Sequence, residues 1–309
     1  MSGATEADAP AWIEIAVEVA GIDAELAADL LRQGCSGGVA IEAPSRLDAP
    51  TDTYVLDGDA PAVVKGYLPT SEDSGRLQSS IRLALQTAPL QREPVWREAV
   101  ELEEREWRDS WKKYFGIQRF GERTVIVPSW IEYAAKAGEV VIRIDPGMAF
   151  GTGQHPTTAM CLGTLEELVT GGQSVLDLGC GSGILAIAAA KFGASRVLGL
   201  DNDPQAVKAS GENVRENGVE GTVDVREGSL GERDVTAPFD IVAANISGLT
   251  LQRLAPAIAA ALSPGGFLIA SGFLEDAVEA LKSAFAENGL EAERVKEVGV
   301  WRSIVARRS

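Results

Sequence analysis

Histidine is nearly absent from this chain: His155 is the only one in 309 residues, and the three cysteines, Cys35, Cys161 and Cys180, include no C-x-x-C pair. A zinc site therefore lacks donors at ligand spacing, and no nucleophile triad can be assembled around His155. No metal is expected. An odd number of cysteines without pairing fits reduced thiols in a cytoplasmic protein. Cations are scarce too, with 28 Lys and Arg against 45 Asp and Glu and a net charge of -17. Such a field repels phosphate backbones and favours cationic partners, so no direct nucleic acid binding is expected. Long apolar runs are missing as well. The uncharged stretch from Leu254 to Leu274 contains Pro256 and Ser263-Pro264-Gly265-Gly266, which are expected to break it into a helix, a turn and a strand rather than a membrane span. The first twenty residues carry acids throughout and no basic start, so no signal peptide is read there.

With 45% hydrophobic and 24% charged residues, the composition is that of a globular protein long enough for two domains. WIEIAVEV (12–19) alternates like a strand, AELAADLLRQG (24–34) has helical spacing, and GVAIE and TYVLD read as two short strands. A helix from about Asp73 to Thr87 and a strand near Val95 to Leu102 complete a βαββαβ order, which predicts a smaller α+β ferredoxin-like domain over residues 1–103. Residues 104–144 are expected to form a connector. It would hold a charged helix (Glu98 to Lys113, with Trp107 and Trp111) and the strands RTVIVPSW and EVVIRID.

From residue 145 onward the signals change to an α/β pattern. SVLDLG, RVLGLD, TVDVREG, FDIVAANI and GFLIASG are short apolar runs suited to strands buried on both faces, separated by helices that stop at glycine. A doubly wound sheet over 145–309 follows, with its ligands beyond the carboxyl ends of the strands. At one such end Asp177-Leu178-Gly179-Cys180-Gly181-Ser182-Gly183 leaves a strand and enters a helix. Glycine there permits a sharp turn and close approach of a ligand to the backbone. Ile184 occupies the place of the third glycine of a dinucleotide fingerprint, which argues against a nicotinamide oxidoreductase. Asp201 ends the next strand, where a carboxylate can accept from two ribose hydroxyls. An acid at the loop start suits a ligand with an ammonium group, so S-adenosylmethionine is the expected cofactor. Cys180 reads as a packing residue. Asn245 ends FDIVAANI at the sheet rim, where it either holds an acceptor nitrogen beside the donor methyl or caps the helix that follows.

The motifs DPGMAFGTGQHPTT (145–158), VLDLGCGSGILAIAA, DNDPQAVKAS and ANI, with WRDSWKKYF and ERTVIVPSW upstream, resemble the bacterial ribosomal protein L-eleven methyltransferase family. The resemblance covers most of the chain. It implies a class I methyltransferase fold, Rossmann-like with an antiparallel last strand, and a first domain that recognises a large-subunit ribosomal protein. It also implies transfer of methyl groups from S-adenosylmethionine to lysine side chains and an amino terminus; the protein is separately expected to be a cytoplasmic monomer. Cofactor contacts carried over by position fall on Thr158, Gly179, Asp201 and Asn245, with Asn245 also the catalytic candidate; the glycine-loop reading adds Asp177, Gly181 and Gly183 as cofactor-binding candidates, and the opening stretch adds Phe150. Two departures are visible: Gln154 stands in place of Thr, and Ile246-Ser247-Gly248-Leu249-Thr250 in place of Leu-Ala-Gly-Pro-Leu.

Methyl transfer from a sulfonium needs an aligned neutral amine rather than a general-base relay, so His155 is expected to orient its loop and Phe150 to pack on the cofactor. Two other readings stay open: methylation of another protein's lysines or of a small amine, and a catalytically silent binding module on the same fold.

Overall fold

The computed structural model describes residues 12–42, 45–48, 53–56, 60–71, 73–103, 116–144, 155–230 and 238–309. The chain divides into two compact units, Met1–Gly116 and Ile117–Ser309. The first contains β1 (Trp12–Ala20), α1 (Ala24–Arg32), β2 (Val39–Glu42), β3 (Ser45–Asp48), β4 (Thr53–Leu56), β5 (Pro61–Pro69), α2 (Ser74–Thr87), β6 (Val95–Trp96) and β7 (Val100–Leu102). Its main sheet runs β2-β5-β1-β6 with every pair antiparallel, and β7 continues along β1 beyond β6.

The ferredoxin-like sandwich forms, but TYVLD is not its third strand. That run supplies β4, which pairs only with β3 in a separate hairpin. The inner position belongs to PAVVKGYLP, β5. Ala62, Val64, Tyr67 and Leu68 are fully buried and Val63 nearly so, so both faces of β5 are covered and the alternation that marks a half-buried strand is lost. Lys65 within it forms ion pairs with Glu14 (3.2 Å) and Glu42 (2.7 Å) on the flanking strands. At Gly66 an added Cβ would lie 2.5 Å from Cys35 Sγ. The expected strand near Val95 to Leu102 is likewise split into two short pieces.

The second unit contains β8 (Gln118–Phe120), β9 (Thr124–Pro128), β10 (Val140–Ile144), α3 (Pro156–Leu168), β11 (Ser174–Leu178), α4 (Ile184–Lys191), β12 (Arg196–Asp201), α5 (Pro204–Glu216), β13 (Val223–Glu227), β14 (Phe239–Asn245), α6 (Gly248–Ala261), β15 (Leu262–Leu274), α7 (Val278–Ala286), β16 (Leu290–Val298) and β17 (Trp301–Arg308). The sheet order is β13-β12-β11-β14-β15-β17-β16; β11 to β15 run parallel and β17 is antiparallel to both neighbours. The winding direction reverses between β11 and β14, where open α/β sheets place ligands.

Alternate residues of the strands feed two cores. Leu176, Leu198, Val242 and Leu268 join α6 and α7 on one face, while Val175, Val197, Ile241 and Ile269 join α3 and α4 on the other. Ile126, Ile142 and Ile144 enter this second core. The strands expected in a connector, β9 and β10, are thus part of the second unit, because their apolar side chains bury against α3 and α4 rather than lining a solvated linker. The expected connector helix is outside the described residues from 104 to 115, and so is the stretch 145–154 with Phe150 and Gln154. Pro256 does not break the helix as expected: it is exposed on α6, which runs on to Ala261, and the expected turn at Ser263-Pro264-Gly265-Gly266 falls inside β15 as a shift of register against β14, with Gly265 at φ +78°.

Gly272 sits at a register shift in β15 with φ +95°, and an added Cβ would lie 2.6 Å from the Ile246 carbonyl oxygen. Gly218 also has positive φ (+65°) but open space around it. Gly272→Ala is expected to destabilise the second unit by about 3 kcal/mol and Gly218→Ala by about 1 kcal/mol, measured by denaturant unfolding of the full chain.

Candidate functional site

Pleat parity decides where the polar strand ends point. In β11, Val175 faces α3 and α4, so Asp177 does too; in β12 Asp201 shares its side with Val197, and in β14 Asn245 shares its side with Ile241 and Ala243. Three polar groups therefore emerge from adjacent parallel strands on one side of the sheet, at its carboxyl edge. Asp177 is 1% exposed, and its Oδ2 accepts from the Ala186 backbone N–H in the first turn of α4 at 2.9 Å. Burial, reinforced by the charge of Asp201 and opposed by the Ala186 bond, pushes its carboxyl up to about 7. Asp201 accepts from Gly181 N at 2.9 Å through Oδ2 and from Asp203 N at 3.0 Å through Oδ1. A carboxylate has about four acceptor sites, so Asp201 retains capacity for further donors.

Gly179, Gly181 and Gly183 all adopt left-handed backbone, with φ of +74°, +53° and +78°. The room they leave is used partly by the protein itself. A Cβ at Gly179 would lie 2.4 Å from Ile246 Cγ2, and one at Gly183 would lie 2.4 Å from Ser210 Oγ. Close approach by a ligand is thus not the only reason for glycine there. Gly179 N and Cys180 N both donate to Leu200 O, at 2.8 and 3.0 Å, and Asn213 Nδ2 donates to Ser182 O at 2.9 Å. The loop is tied to β12 and α5. Cys180 is buried, its thiol pushed up by burial and by the charges of Asp177 and Asp201, with Sγ 3.9 Å from Ser210 Oγ. That environment disfavours a thiolate nucleophile.

Across the rim, α3 starts at His155. The ring nitrogen Nδ1 accepts from Thr157 N at 3.3 Å and lies 2.6 Å from Thr157 Oγ1, which makes His155 the N-cap, and Pro156 supplies the first helical position. Its ring meets Trp301 edge-on with centroids 4.5 Å apart. One turn on, Thr158 Oγ1 accepts from Asn245 Nδ2 at 3.3 Å. The alternative in which Asn245 caps the next helix fails, because Ser247 fills that role, accepting from Thr250 N at 3.4 Å. Asn245 Oδ1 is buried and has no hydrogen-bond partner among the described residues.

Of the residues singled out from sequence, Thr158 and Asn245 meet directly, Asp201 and Gly181 meet through a hydrogen bond, and Asp177 stands behind the glycine loop. Trp301 was not singled out, and Ile246 was not assigned a place in the site. Trp301 begins the last strand, far from any motif, and only its contact with His155 marks it. Ile246 entered only within the A-N-I motif and the departing 246–250 stretch, and nothing in the sequence marked its packing against Gly179.

Neither Asp177 nor Asp201 has an ion-pair partner among the described residues. Two carboxylates so placed favour a cationic ligand. With ribose-accepting capacity at Asp201 and an unfilled acceptor at Asn245, the donor set fits S-adenosylmethionine, which carries a sulfonium and an ammonium.

A family model described as ribosomal protein L11 methyltransferase (PrmA) matches residues 11–309. The curated ribosomal protein L11 methyltransferase of Chloroflexus aurantiacus is 42% identical over 325 residues, covering 96% of this chain and 98% of its own length. That of Pelotomaculum thermopropionicum is 40% identical over 306 residues, covering 96% of this chain and 98% of its own. The crystal structure of a ribosomal protein L11 methylase from Lactobacillus delbrueckii subsp. bulgaricus superposes with a TM-score of 0.57 at 31% identity, over 63% of this chain and 100% of that one. Motifs, sheet order and a match that runs nearly the whole length agree, and this chain, a methyltransferase, belongs to the ribosomal protein L11 methyltransferase family.

Proposed function

We propose that the second unit binds S-adenosylmethionine at the carboxyl edge of β11, β12 and β14 and methylates amines of ribosomal protein L11, namely lysine side chains and the amino terminus. The observation that carries the reading is the buried Oδ1 of Asn245, unfilled among the described residues and held beside two carboxylates that have no ion-pair partner among them. The cofactor, when bound, supplies an electrophilic methyl group on a positively charged sulfur. Asp201 would hold the ribose hydroxyls, the amides of Gly179 to Gly183 would line the loop, and Asp177 would favour the ammonium side through its charge. Asn245 Oδ1 would accept an N–H from the incoming neutral amine and so aim the nitrogen lone pair at the methyl carbon. Thr158 fixes that amide by taking its N–H donor end, which leaves the oxygen facing the acceptor. Lysine is almost wholly protonated at neutral pH, with a pKa of about 10.4, and desolvation beside a positive sulfur favours loss of its proton to water.

No described helix is long and apolar enough to cross a membrane; the proposed enzyme is a cytoplasmic monomer acting on a ribosomal protein. The acid excess suits a basic substrate, and the first unit would supply recognition of it.

The direct test is incubation of the full chain with ribosomal protein L11 and labelled S-adenosylmethionine, followed by mass spectrometry. Methylated lysine or amino-terminal peptides support the reading, and their absence with cofactor bound refutes it.

Asn245→Ala is expected to lower kcat about 100-fold or more while cofactor Kd changes less than about five-fold, because the lost acceptor matters most at the reacting nitrogen. Thr158→Val should reproduce part of the kcat loss, and Thr158→Ser should restore it.

His155→Asn should behave close to the parent, since asparagine also caps helices, whereas His155→Ala should lose stability but keep measurable turnover. Complete loss of kcat in both variants with cofactor affinity intact would make His155 a catalytic base.

Asp177 gives a pH signature. Its carboxyl is raised to about 7 from about 4 in the unfolded chain, so its contribution to stability is fully present below about pH 4 and is lost as pH rises through about 7. Asp177→Asn keeps an acceptor for Ala186 N without the charge. Its Tm relative to the parent should therefore be higher at pH 8 than at pH 4, read by calorimetry without cofactor. Cofactor binding near pH 6.5 should release a proton in the parent and not in the variant, seen as buffer-dependent binding heat.

A further inference from the structure

We infer that the rim beside Asn245 is a docking lip for the lysine-bearing segment of the acceptor protein, an inference that rests on amine methylation by the second unit. The large apolar side chains exposed on the described part of this unit are Leu249, Val295, Val298 and Val300. All but Val295 gather at the carboxyl edge of the sheet. Leu249, 80% exposed, lies four residues beyond Asn245 at the start of α6. Val298 and Val300, 46% and 40% exposed, flank the β16–β17 turn. The two parts belong to one rim: a Cβ at Gly248 would lie 3.3 Å from Phe273 and from Ala277, and the adjoining Leu274 pairs with Trp301.

Charge completes the lip. Arg302 pairs with Glu275 at 3.0 Å and Glu297 at 3.6 Å, and both carboxylate side chains are more than three-quarters exposed. Asp276 is exposed beside them. Two carboxylates on one guanidinium, with Asp276 exposed next to Glu275 in the chain, leave the rim negative.

Scattered exposed apolar residues need no explanation, but a group of them at the mouth of a site, edged by carboxylates, selects its occupant. A lysine presents an aliphatic stem and a terminal ammonium, which match the apolar residues and the acids in turn. The segment would arrive protonated at the carboxylates and offer its neutral nitrogen only at Asn245 Oδ1. The exposed Leu249 lies within the stretch where this chain departs from the Leu-Ala-Gly-Pro-Leu pattern of the family it resembles.

The test uses the full chain, ribosomal protein L11 as acceptor and saturating S-adenosylmethionine, with Leu249→Ser and Asp276→Lys measured separately. Both side chains are exposed, and Asp276 lies outside the Arg302 pairs, so neither change removes a described packing or ion-pair contact. Each is expected to raise the acceptor KM about five-fold or more, with kcat and cofactor Kd within about two-fold of the parent. The Asp276→Lys effect should fade as ionic strength rises from about 0.05 M to about 0.5 M, and the Leu249→Ser effect should persist. Unchanged acceptor KM in both variants, or an equal loss of cofactor affinity, overturns the lip. A parent enzyme that binds cofactor but leaves the acceptor unmethylated defeats the functional reading on which the lip rests.

Discussion

A parallel strand sends successive side chains to opposite faces, and this two-residue alternation is the constraint on which the second unit depends. In β11, β12 and β14 the residues adjoining the polar groups, Leu178 after Asp177, Leu200 before Asp201 and Ala244 before Asn245, are committed to the α6 and α7 core. Asp177, Asp201 and Asn245 have only the other side available, where α3 and α4 begin. A shift of one residue in any strand would bury the polar group among leucines and expose its apolar neighbour. Packing energy thereby enforces polar geometry. The last strand, β17, inserts between β15 and β16 and delivers Trp301 to the same rim, against the His155 ring that caps α3.

The second constraint is electrostatic. Asp177 is buried and close enough to Asp201 for its carboxyl to be raised, with no described cation to offset either charge. Salt bridges of the second unit lie elsewhere, as in Arg123 with Glu166 and Arg294 with Glu167. Glu166 and Glu167 anchor the carboxyl half of α3, to β9 and β16 respectively, while its amino end carries the cap and Thr158. The helix is held firmly at the end remote from the proposed chemistry. The charge imbalance at the other end then becomes an intrinsic preference for a cationic ligand, built before any ligand arrives.

Legibility followed the strength of local signals. The glycine loop, Asp201, the parallel strands and α5 were readable because each couples a periodic apolar run to glycine or a terminal acid. The family resemblance added Thr158 and Phe150, of which only Thr158 lies among the described residues. Three features resisted. β5 was hidden because burial on both faces erases alternation and because Lys65 interrupts its apolar run, its charge offset by Glu14 and Glu42 on strands distant in sequence. The membership of β9 and β10 in the second unit depends on Ile126, Ile142 and Ile144 meeting α3 and α4, a tertiary fact that no local pattern carries. Trp301 acquires its place through pairing of β17 with β15, and strand order is invisible in a single apolar run.

Ile246 shows why the segment after Asn245 can vary in some places and not in others. Its side chain fills the space a Cβ would need at Gly179, and its backbone fills the space one would need at Gly272. The loop proposed to hold the cofactor and the strand bulge beside the rim are therefore both packed against one residue. Enlarging Ile246 would press on Gly179, whose amide is committed to Leu200 O, and through it on the proposed nucleotide side. Three positions later Leu249 is 80% exposed and touches this packing little. Acceptor preference can thus change at 249 at small cost to folding, while 246 is bound to the cofactor loop by volume. The departure of the 246–250 stretch from the family pattern is compatible with an intact methyl-donor site for that reason: the constrained member remains a branched apolar residue, and the unconstrained one faces outward.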